Sequence, residues 1–122
     1  MRTMAQKRAA FALKQTLAVY SSVEKDKFKS FTAGAPSMIL QNGFGQTLAF
    51  WLAKGKNEHM VLFRIVTQWL KETDKLHFKD CNTPSAFIGK LSDMEQMAYQ
   101  KNQNEALALL EWVKRFASAD LS

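Results

Sequence analysis

The amino-acid sequence predicts an all-α protein, a single compact helical bundle of five to seven helices in one domain over residues 1–122. Apolar residues recur every three or four positions along nearly the whole chain, which is the period of an amphipathic helix. No segment shows the apolar–polar alternation, bounded by turn residues, that is typical of strands. The 47% hydrophobic content, with only two prolines and five glycines, favours a folded chain over a disordered one.

The first helix is predicted from Thr3 to about Val23. Thr3, followed three residues later by Gln6, has the form of a capping box. A core stripe is expected at Gln6, Ala10, Leu13, Leu17 and Tyr20. A second face gathers Lys7, Arg8, Phe11, Lys14 and Gln15. Phe11 could stack on a nucleobase between these cations or pack against a neighbouring helix, and we favour packing.

The stretch from Pro36 to Lys56 is the least generic part of the chain. Before it, Glu24–Ala35 predicts one short helix that ends at Gly34. Pro36 suits the first position of a further helix, because its fixed φ fits and its missing N–H would be unpaired there. Asn42-Gly43 is expected to close that helix, since both residues tolerate left-handed backbone conformation.

Two helices are predicted around a basic glycine corner. The first contains the apolar run 48–53, with Leu48, Trp51 and Leu52 on one face, and stops at Lys54-Gly55-Lys56. The second has Asn57 as its N-cap and runs to about Thr73. Its wide apolar face should make it central to the core, and Arg64 lies off that face.

The last third of the chain predicts a connector and two helices. Leu76–Thr83 is expected to be a polar connector that carries Cys81. Pro84 opens a short helix with Phe87, Ile88 and Leu91. The final helix is predicted to begin at Ser92, where Ser92-x-x-Glu95 forms a capping box, and its stripe includes Met94, Met97 and Ala98.

The net charge of +6 is concentrated in the first half of the chain. Residues 1–57 hold nine Lys and Arg against two acids, whereas residues 58–122 hold eight against nine. This asymmetry suggests a polyanionic partner on one side of the molecule, although a basic surface also serves solubility.

Composition and motifs restrict the functions that the sequence favours. Cys81 is the single cysteine, and no apolar run is long enough for a membrane span, so we expect a cytoplasmic protein without disulfides. His59 and His77 have no zinc-ligand spacing around them. Gly43-x-Gly45 lacks the preceding strand of a nucleotide-binding turn. We therefore expect no metal, no cofactor, no small-molecule substrate and no catalysis.

Three blocks of sequence carry a family resemblance. Asn42-Gly43-Phe44-Gly45-Gln46 with Leu48-Ala49-Phe50 resembles the central motif of the small subunit of the type III-B CRISPR–Cas Cmr effector complex. The flanking blocks are Gln6-Lys7-Arg8-Ala9 and a segment near the C-terminus that runs from Glu105 to Ala117. No part of the resemblance falls on Leu76–Ser92.

The resemblance implies a helical subunit that stacks along the effector complex and performs no cleavage. The implied partners are the backbone and large subunits, further copies of the same subunit, the guide RNA and single-stranded target RNA. Guide–target pairing identifies the sequence in such a complex, so this subunit needs only phosphate contacts. The residues that we expect to supply them are Lys7, Arg8, Lys14, Lys54, Lys56, Arg64 and Arg115.

Other functions remain open from the sequence. The chain could be a purely structural spacer between proteins, with lysines that only confer solubility. A helical DNA-binding regulator is weaker, because no helix-turn-helix with a basic recognition helix is evident. Asn42, Gly43 and Gln46 are expected to form a tight structural break rather than a ligand site.

Overall fold

The computed structural model describes all 122 residues and contains six α-helices and no strand. The helices are α1 (Met4–Val19), α2 (Lys25–Asn42), α3 (Phe44–Lys54), α4 (Asn57–Thr73), α5 (Pro84–Asp93) and α6 (Gln96–Ser118). The all-α prediction of five to seven helices is therefore confirmed.

Helices α4 and α6 organise the bundle. Helix α6 makes its most extensive contacts with α1 and α2, while α4 contacts α1, α2, α3 and α6. One cluster of 25 buried apolar residues draws on all six helices, and Trp51, Phe28 and Phe44 are among its largest members. Nine residues of α4 are buried, as its wide apolar face predicts.

Helix α1 begins as predicted but turns a different face to the core. The Thr3 hydroxyl accepts a hydrogen bond from the Gln6 N–H at 3.1 Å, and the Gln6 side chain accepts one from the Thr3 N–H. The helix ends at Val19, and its buried residues are Ala12, Thr16 and Val19. Most of the predicted stripe is exposed, because the face of α1 that carries Ala12 and Thr16 is the one buried in the bundle, where α1 packs mainly against α6.

Helix α2 is one continuous helix where the sequence predicts two. Pro36 lies inside it and is buried, although proline removes a backbone donor and normally breaks a helix. Phe28, Ala35 and Ile39 lie on the same buried stripe on both sides of the proline. Burial of that stripe along the whole helix offsets the local cost, so the predicted end at Gly34 is wrong.

The break between α2 and α3 is confirmed at Gly43. Its backbone has φ 87° and ψ 158°, a conformation open essentially to glycine alone and distinct from the left-handed helical one. The Gly43 N–H donates to the Ile39 carbonyl at 2.8 Å, and the Gly43 carbonyl accepts from the Thr47 N–H at 3.1 Å. A single residue thus ends one helix and begins the next.

The C-terminal elements follow the prediction with two corrections. Helix α6 begins at Gln96 with Glu95 as its N-cap, and Ser92 instead belongs to α5, where its hydroxyl donates to the Ile88 carbonyl. The predicted capping box at Ser92 is therefore wrong. The connector before α5 is not purely polar, because Phe78 is buried and stacks on Phe87 with ring centroids 4.3 Å apart.

Candidate nucleic-acid interface

The positive charge of this protein is mostly unpaired within the fold. Of the seventeen Lys and Arg residues, only Arg8 and Lys75 lie within 4.0 Å of a carboxylate oxygen. Six of the seven predicted contact residues therefore have no internal carboxylate partner: Lys7, Lys14, Lys54, Lys56, Arg64 and Arg115. All six are exposed, so their charge is available to a polyanion.

Arg8 differs from the other six because it belongs to a partly buried cluster between helices. Its Nε and Nη2 atoms donate to Glu105 of α6, the latter over 2.9 Å. The Glu105 carboxylate also accepts a hydrogen bond from the Trp69 indole at 2.9 Å. The hydrogen bonds between Arg8 and Glu105 join α1 to α6. Because the Glu105 carboxylate neutralises the charge of Arg8 locally, Arg8 is less suited to phosphate contact than the lysines without a carboxylate partner.

Ionisation of Glu105 is favoured by its partners. Burial alone would raise the pKa of the Glu105 carboxyl, but hydrogen bonds from Arg8 and Trp69 outweigh this and lower the pKa below its ordinary value. The hydrogen bond to Glu105 in turn raises the pKa of Arg8. Both groups are therefore charged at neutral pH, and the pair acts as a fixed structural contact.

The outer edge of α1 carries two free lysines. Lys7 and Lys14 are seven residues apart, so they lie on the same side of α1, on either side of Phe11 along the helix. Phe11 itself faces inward and its ring lies 4.9 Å, centroid to centroid, from that of Trp69. Phe11 therefore packs against a neighbouring helix, as we favoured from the sequence.

A small groove runs between α1 and α4. Its lining includes Arg64 and Gln68 of α4, Gln15 of α1, and Ser22 in the turn after α1, and its volume is about 230 Å³. Ser22 also lines a larger polar cleft, which contains Lys27 and Lys56. Ser22 is thus shared by the two depressions, of which one is lined by Arg64 and the other by Lys56.

The larger cleft has mixed charge. It lies between the N-termini of α2 and α4, neither of which has a side-chain cap, and its volume is about 880 Å³. Lys27 and Lys56 face carboxylates from both helices there: Glu24, Asp26 and Glu58. The carboxylates of the cleft repel a phosphate that enters it. Lys27 and Lys56 are therefore better placed to bind a phosphate at the edge of the cleft than inside it.

The corner between α3 and α4 presents two lysines around a left-handed glycine. Gly55 has φ 65° and ψ 10°, which turns the chain sharply and leaves Lys54 and Lys56 exposed on either side. Lys54 Nζ lies 5.9 Å from the centroid of the Phe50 ring. The predicted end of α3 is confirmed, while the N-cap of α4 is Lys56 rather than Asn57.

His59 lies buried beneath this corner. Its ring packs against that of Phe31 with centroids 4.0 Å apart and the planes tilted by 31°, and its Nδ1 atom has no hydrogen-bond partner. Burial lowers the pKa of His59; Glu58 opposes that shift, and the charges of Lys56 and Lys54 add to it. The histidine is therefore neutral at pH 7 and adds no charge to the corner.

Arg115 is separate from the other predicted residues. It lies exposed in the last turn of α6 and lines neither the α1–α4 groove nor the polar cleft. A cation there is favourable at the negative end of the helix dipole, which accounts for it structurally.

Gly43 and Gly45 have a structural role, as expected for Gly43, whereas the side chains of Asn42 and Gln46 are exposed and take no part in holding the turn. The Gly45 N–H donates to the Tyr99 hydroxyl of α6 at 2.9 Å, and a Cβ atom at Gly45 would lie 3.4 Å from that oxygen. The Thr47 hydroxyl donates to the carbonyls of Met38 and Gly43. These bonds fix the turn between α2 and α3 against α6.

Sequence reasoning missed several residues of this surface. Lys27 and Gln68 line the depressions but were not singled out. Phe50 was also not recognised as a surface residue. The signal was available, because Phe50 lies outside the helical stripe of Leu48, Trp51 and Leu52, and a residue outside the buried stripe is expected to be exposed. The contribution of Tyr99 could not be found from local pattern, because it lies 54 residues from its partner.

The surface offers no arrangement for metal chemistry. No three His, Cys, Asp or Glu side chains lie close enough together to hold a metal ion. None of the helices has the length and apolar character required to cross a bilayer. Free cations beside polar grooves can bind a polyanion, and that is the chemistry that this surface supports.

Comparisons with known proteins agree on one relationship. Residues 4–120 match the model of a family described as "CRISPR-associated protein (Cas_Cmr5)". The chain is similar to the CRISPR system Cmr subunit Cmr5 of Thermus thermophilus, with 27% identity over 119 residues, which cover 98% of this chain and 96% of the relative. Its structure is similar to the X-ray crystal structure of a CRISPR-associated Cmr5 family protein, also from Thermus thermophilus, with a TM-score of 0.80, 25% identity and full coverage of both chains.

Proposed function

This chain belongs to the Cas_Cmr5 family of CRISPR-associated proteins, and we propose that it is a small, non-catalytic subunit of a type III-B Cmr effector complex. It stacks with copies of itself and with the backbone and large subunits in the cytoplasm. Its role is to hold the target strand beside the guide RNA through its basic surface, in antiviral defence.

The observation that carries the RNA contact is the set of exposed cations without internal partners. Lys7 and Lys14 follow one edge of α1, Arg64 lies in the adjoining groove, and Lys54 and Lys56 flank the Gly55 corner. A ribose-phosphate strand carries one negative charge per nucleotide, so spaced free cations suit it better than a concave pocket does. Such contacts hold the backbone without identifying bases.

Protein contacts have a separate basis in exposed apolar side chains. Leu40 on α2 is 70% exposed and Met97 on α6 is 82% exposed. Large apolar residues at these levels of exposure suit contacts with neighbouring subunits. The same residues favour the second candidate function, a structural spacer that joins proteins and does not touch RNA.

The two candidates are separated by removing lysines in two matched sets. One variant carries glutamine at the predicted contact positions Lys7, Lys14, Lys54 and Lys56. The control carries glutamine at four lysines of the second half, Lys79, Lys90, Lys101 and Lys114, so both variants have four fewer positive charges. RNA affinity is measured as a function of salt, for the purified chain and for the assembled complex, after circular dichroism has verified folding.

We expect the first variant to bind single-stranded RNA more weakly and with a flatter salt dependence. For single strands, the slope of log K against log salt changes by about 0.7 for each phosphate that is no longer neutralised by a cation. The control should keep a slope close to that of the wild type. Equal decreases in affinity in both variants would show that binding depends on net charge alone and not on the predicted contact positions. Unchanged RNA binding by the variant that lacks Lys7, Lys14, Lys54 and Lys56 would favour the structural spacer.

A further inference from the structure

An apolar groove opens on the surface between the end of α2 and the outer face of α3. It is lined chiefly by Met38 and Asn42 of α2 and by Gln46, Ala49, Phe50 and Ala53 of α3, and its volume is about 450 Å³. No charged side chain lines it. The groove is thus an apolar recess with two carboxamides, unlike the polar cleft on the other side of the α3–α4 corner.

Phe50 forms the outer end of a row of rings. Phe31 and His59 pack with centroids 4.0 Å apart and tilted planes, and the Phe50 ring meets His59 edge-on at 6.4 Å. His59 is buried and Phe31 is partly buried, whereas Phe50 remains 42% exposed and borders the groove. A flat aromatic group entering the groove would therefore find an exposed ring on which to stack.

The charge beside the groove selects the kind of aromatic ligand. Lys54, one turn after Phe50, places its ammonium group 5.9 Å from the Phe50 ring centroid, and Lys56 follows beyond Gly55. Neither lysine has a carboxylate within ion-pair distance. An exposed aromatic ring with adjacent free cations is the combination that binds a base together with its phosphate.

The carboxamides at the groove fit the same ligand. Asn42 and Gln46 are exposed and each carries both a donor and an acceptor. Carboxamides can pair with the edge of any unpaired base, and stacking tolerates every base because each has an aromatic face. A bound helix of a partner protein would also use the apolar lining, but it would need acidic side chains of its own to pair with the flanking lysines.

We propose that this groove is a binding site for a single unpaired nucleobase of RNA. Phe50 provides the stacking surface, Asn42 and Gln46 contact the base edge, and Lys54 and Lys56 bind the adjoining phosphates. The site rests on the proposed function and deepens it, because it adds a sequence-tolerant base contact to a surface otherwise limited to phosphates.

The test uses Phe50→Ala, Phe50→Tyr and the control Leu76→Ala in the full-length chain. Leu76→Ala removes an exposed apolar side chain that does not line the groove. Affinity is measured by fluorescence anisotropy with labelled single-stranded RNA and with a matched oligomer whose nucleotides are abasic. Incorporation of each variant into the effector complex is measured in parallel by co-purification.

We expect Phe50→Ala to weaken binding of the base-containing RNA by about tenfold, as loss of one stacked base does elsewhere. Its salt slope should stay unchanged because no phosphate contact is removed. Phe50→Tyr and Leu76→Ala should bind within about twofold of wild type, since they keep the ring. The abasic oligomer should bind wild type and Phe50→Ala equally.

Three outcomes would overturn the inference. If Phe50→Ala keeps full RNA affinity while the four-lysine variant loses it, the groove is not a base site, and the proposed function stands. If Phe50→Ala binds RNA normally but fails to enter the complex, the groove is a protein-docking surface. If wild type binds no RNA, alone or in the complex, the proposed RNA contact and the base site both fail.

Discussion

Replacing Glu105 with alanine is expected to destabilise the fold by about 2 kcal/mol. The Glu105 side chain is only 16% exposed and accepts hydrogen bonds from Arg8 and Trp69. Its removal leaves an indole N–H and a guanidinium, itself 17% exposed, without acceptors. A hydrogen bond to a charged group is worth about 1.5–3 kcal/mol when buried, and residual solvent access reduces the loss to the lower part of that range.

Thermal unfolding provides the assay for this loss. In a domain of this size each kcal/mol lowers Tm by roughly 4 °C, so Glu105→Ala should unfold about 8 °C below wild type. The matched control is Glu111→Ala, also on α6, where the carboxylate is exposed and unpaired. A surface change of that kind should stay within about 0.5 kcal/mol of wild type.

The pH dependence separates the charge from the packing. Because the pKa of Glu105 is lower in the folded than in the unfolded state, the unfolded state binds more protons in acid. The stabilisation is therefore fully present above the ordinary pKa of about 4.3 and is lost as pH falls through the lowered value. Glu105→Gln cannot ionise, so the Tm difference between it and wild type should shrink over that window.

Two results would refute this account of the cluster. One is a Tm for Glu105→Ala that equals that of Glu111→Ala, which would show that the bonds to Arg8 and Trp69 add nothing to stability. The other is a Tm difference between wild type and Glu105→Gln that does not change with pH, which would show that the carboxylate charge is not involved.

Two further predictions concern the helix break and a buried amide. Gly43→Ala should lower the free energy of unfolding by about 2 kcal/mol, because Gly43 has a backbone conformation open essentially to glycine alone. Gly34 is an open helical site, so Gly34→Ala should raise the free energy of unfolding by about 0.5 kcal/mol. Urea unfolding measures both changes, and equal effects would contradict the role given to the Gly43 backbone. Asn102→Ala should lower the free energy of unfolding by about 1–2 kcal/mol, because the Asn102 amide donates to Asp74 and to the Ala98 carbonyl. The exposed control Asn104→Ala should leave stability unchanged. Equal unfolding temperatures of the two variants in calorimetry would refute the stabilising role of Asn102.

The family resemblance was identifiable from sequence and is confirmed, but the RNA surface stays a prediction. The motif around Gly43 is local, so its residues can be recognised in order along the chain. Lys7, Lys14, Lys54 and Lys56 could be proposed from charge distribution, and the structure leaves them exposed. Charge distribution alone could not distinguish them from Arg8, whose partner lies 97 residues away.

The sequence by itself determined the helical class, the capping box at Thr3 and the breaks at Gly43 and Gly55, because each depends on residues within a few positions of one another. Tertiary structure decided which face of α1 is buried, and it carried α2 through Pro36. It also paired Arg8 with Glu105. Those outcomes depend on surfaces that meet only after the chain has folded, where burial of a shared core outweighs local preference.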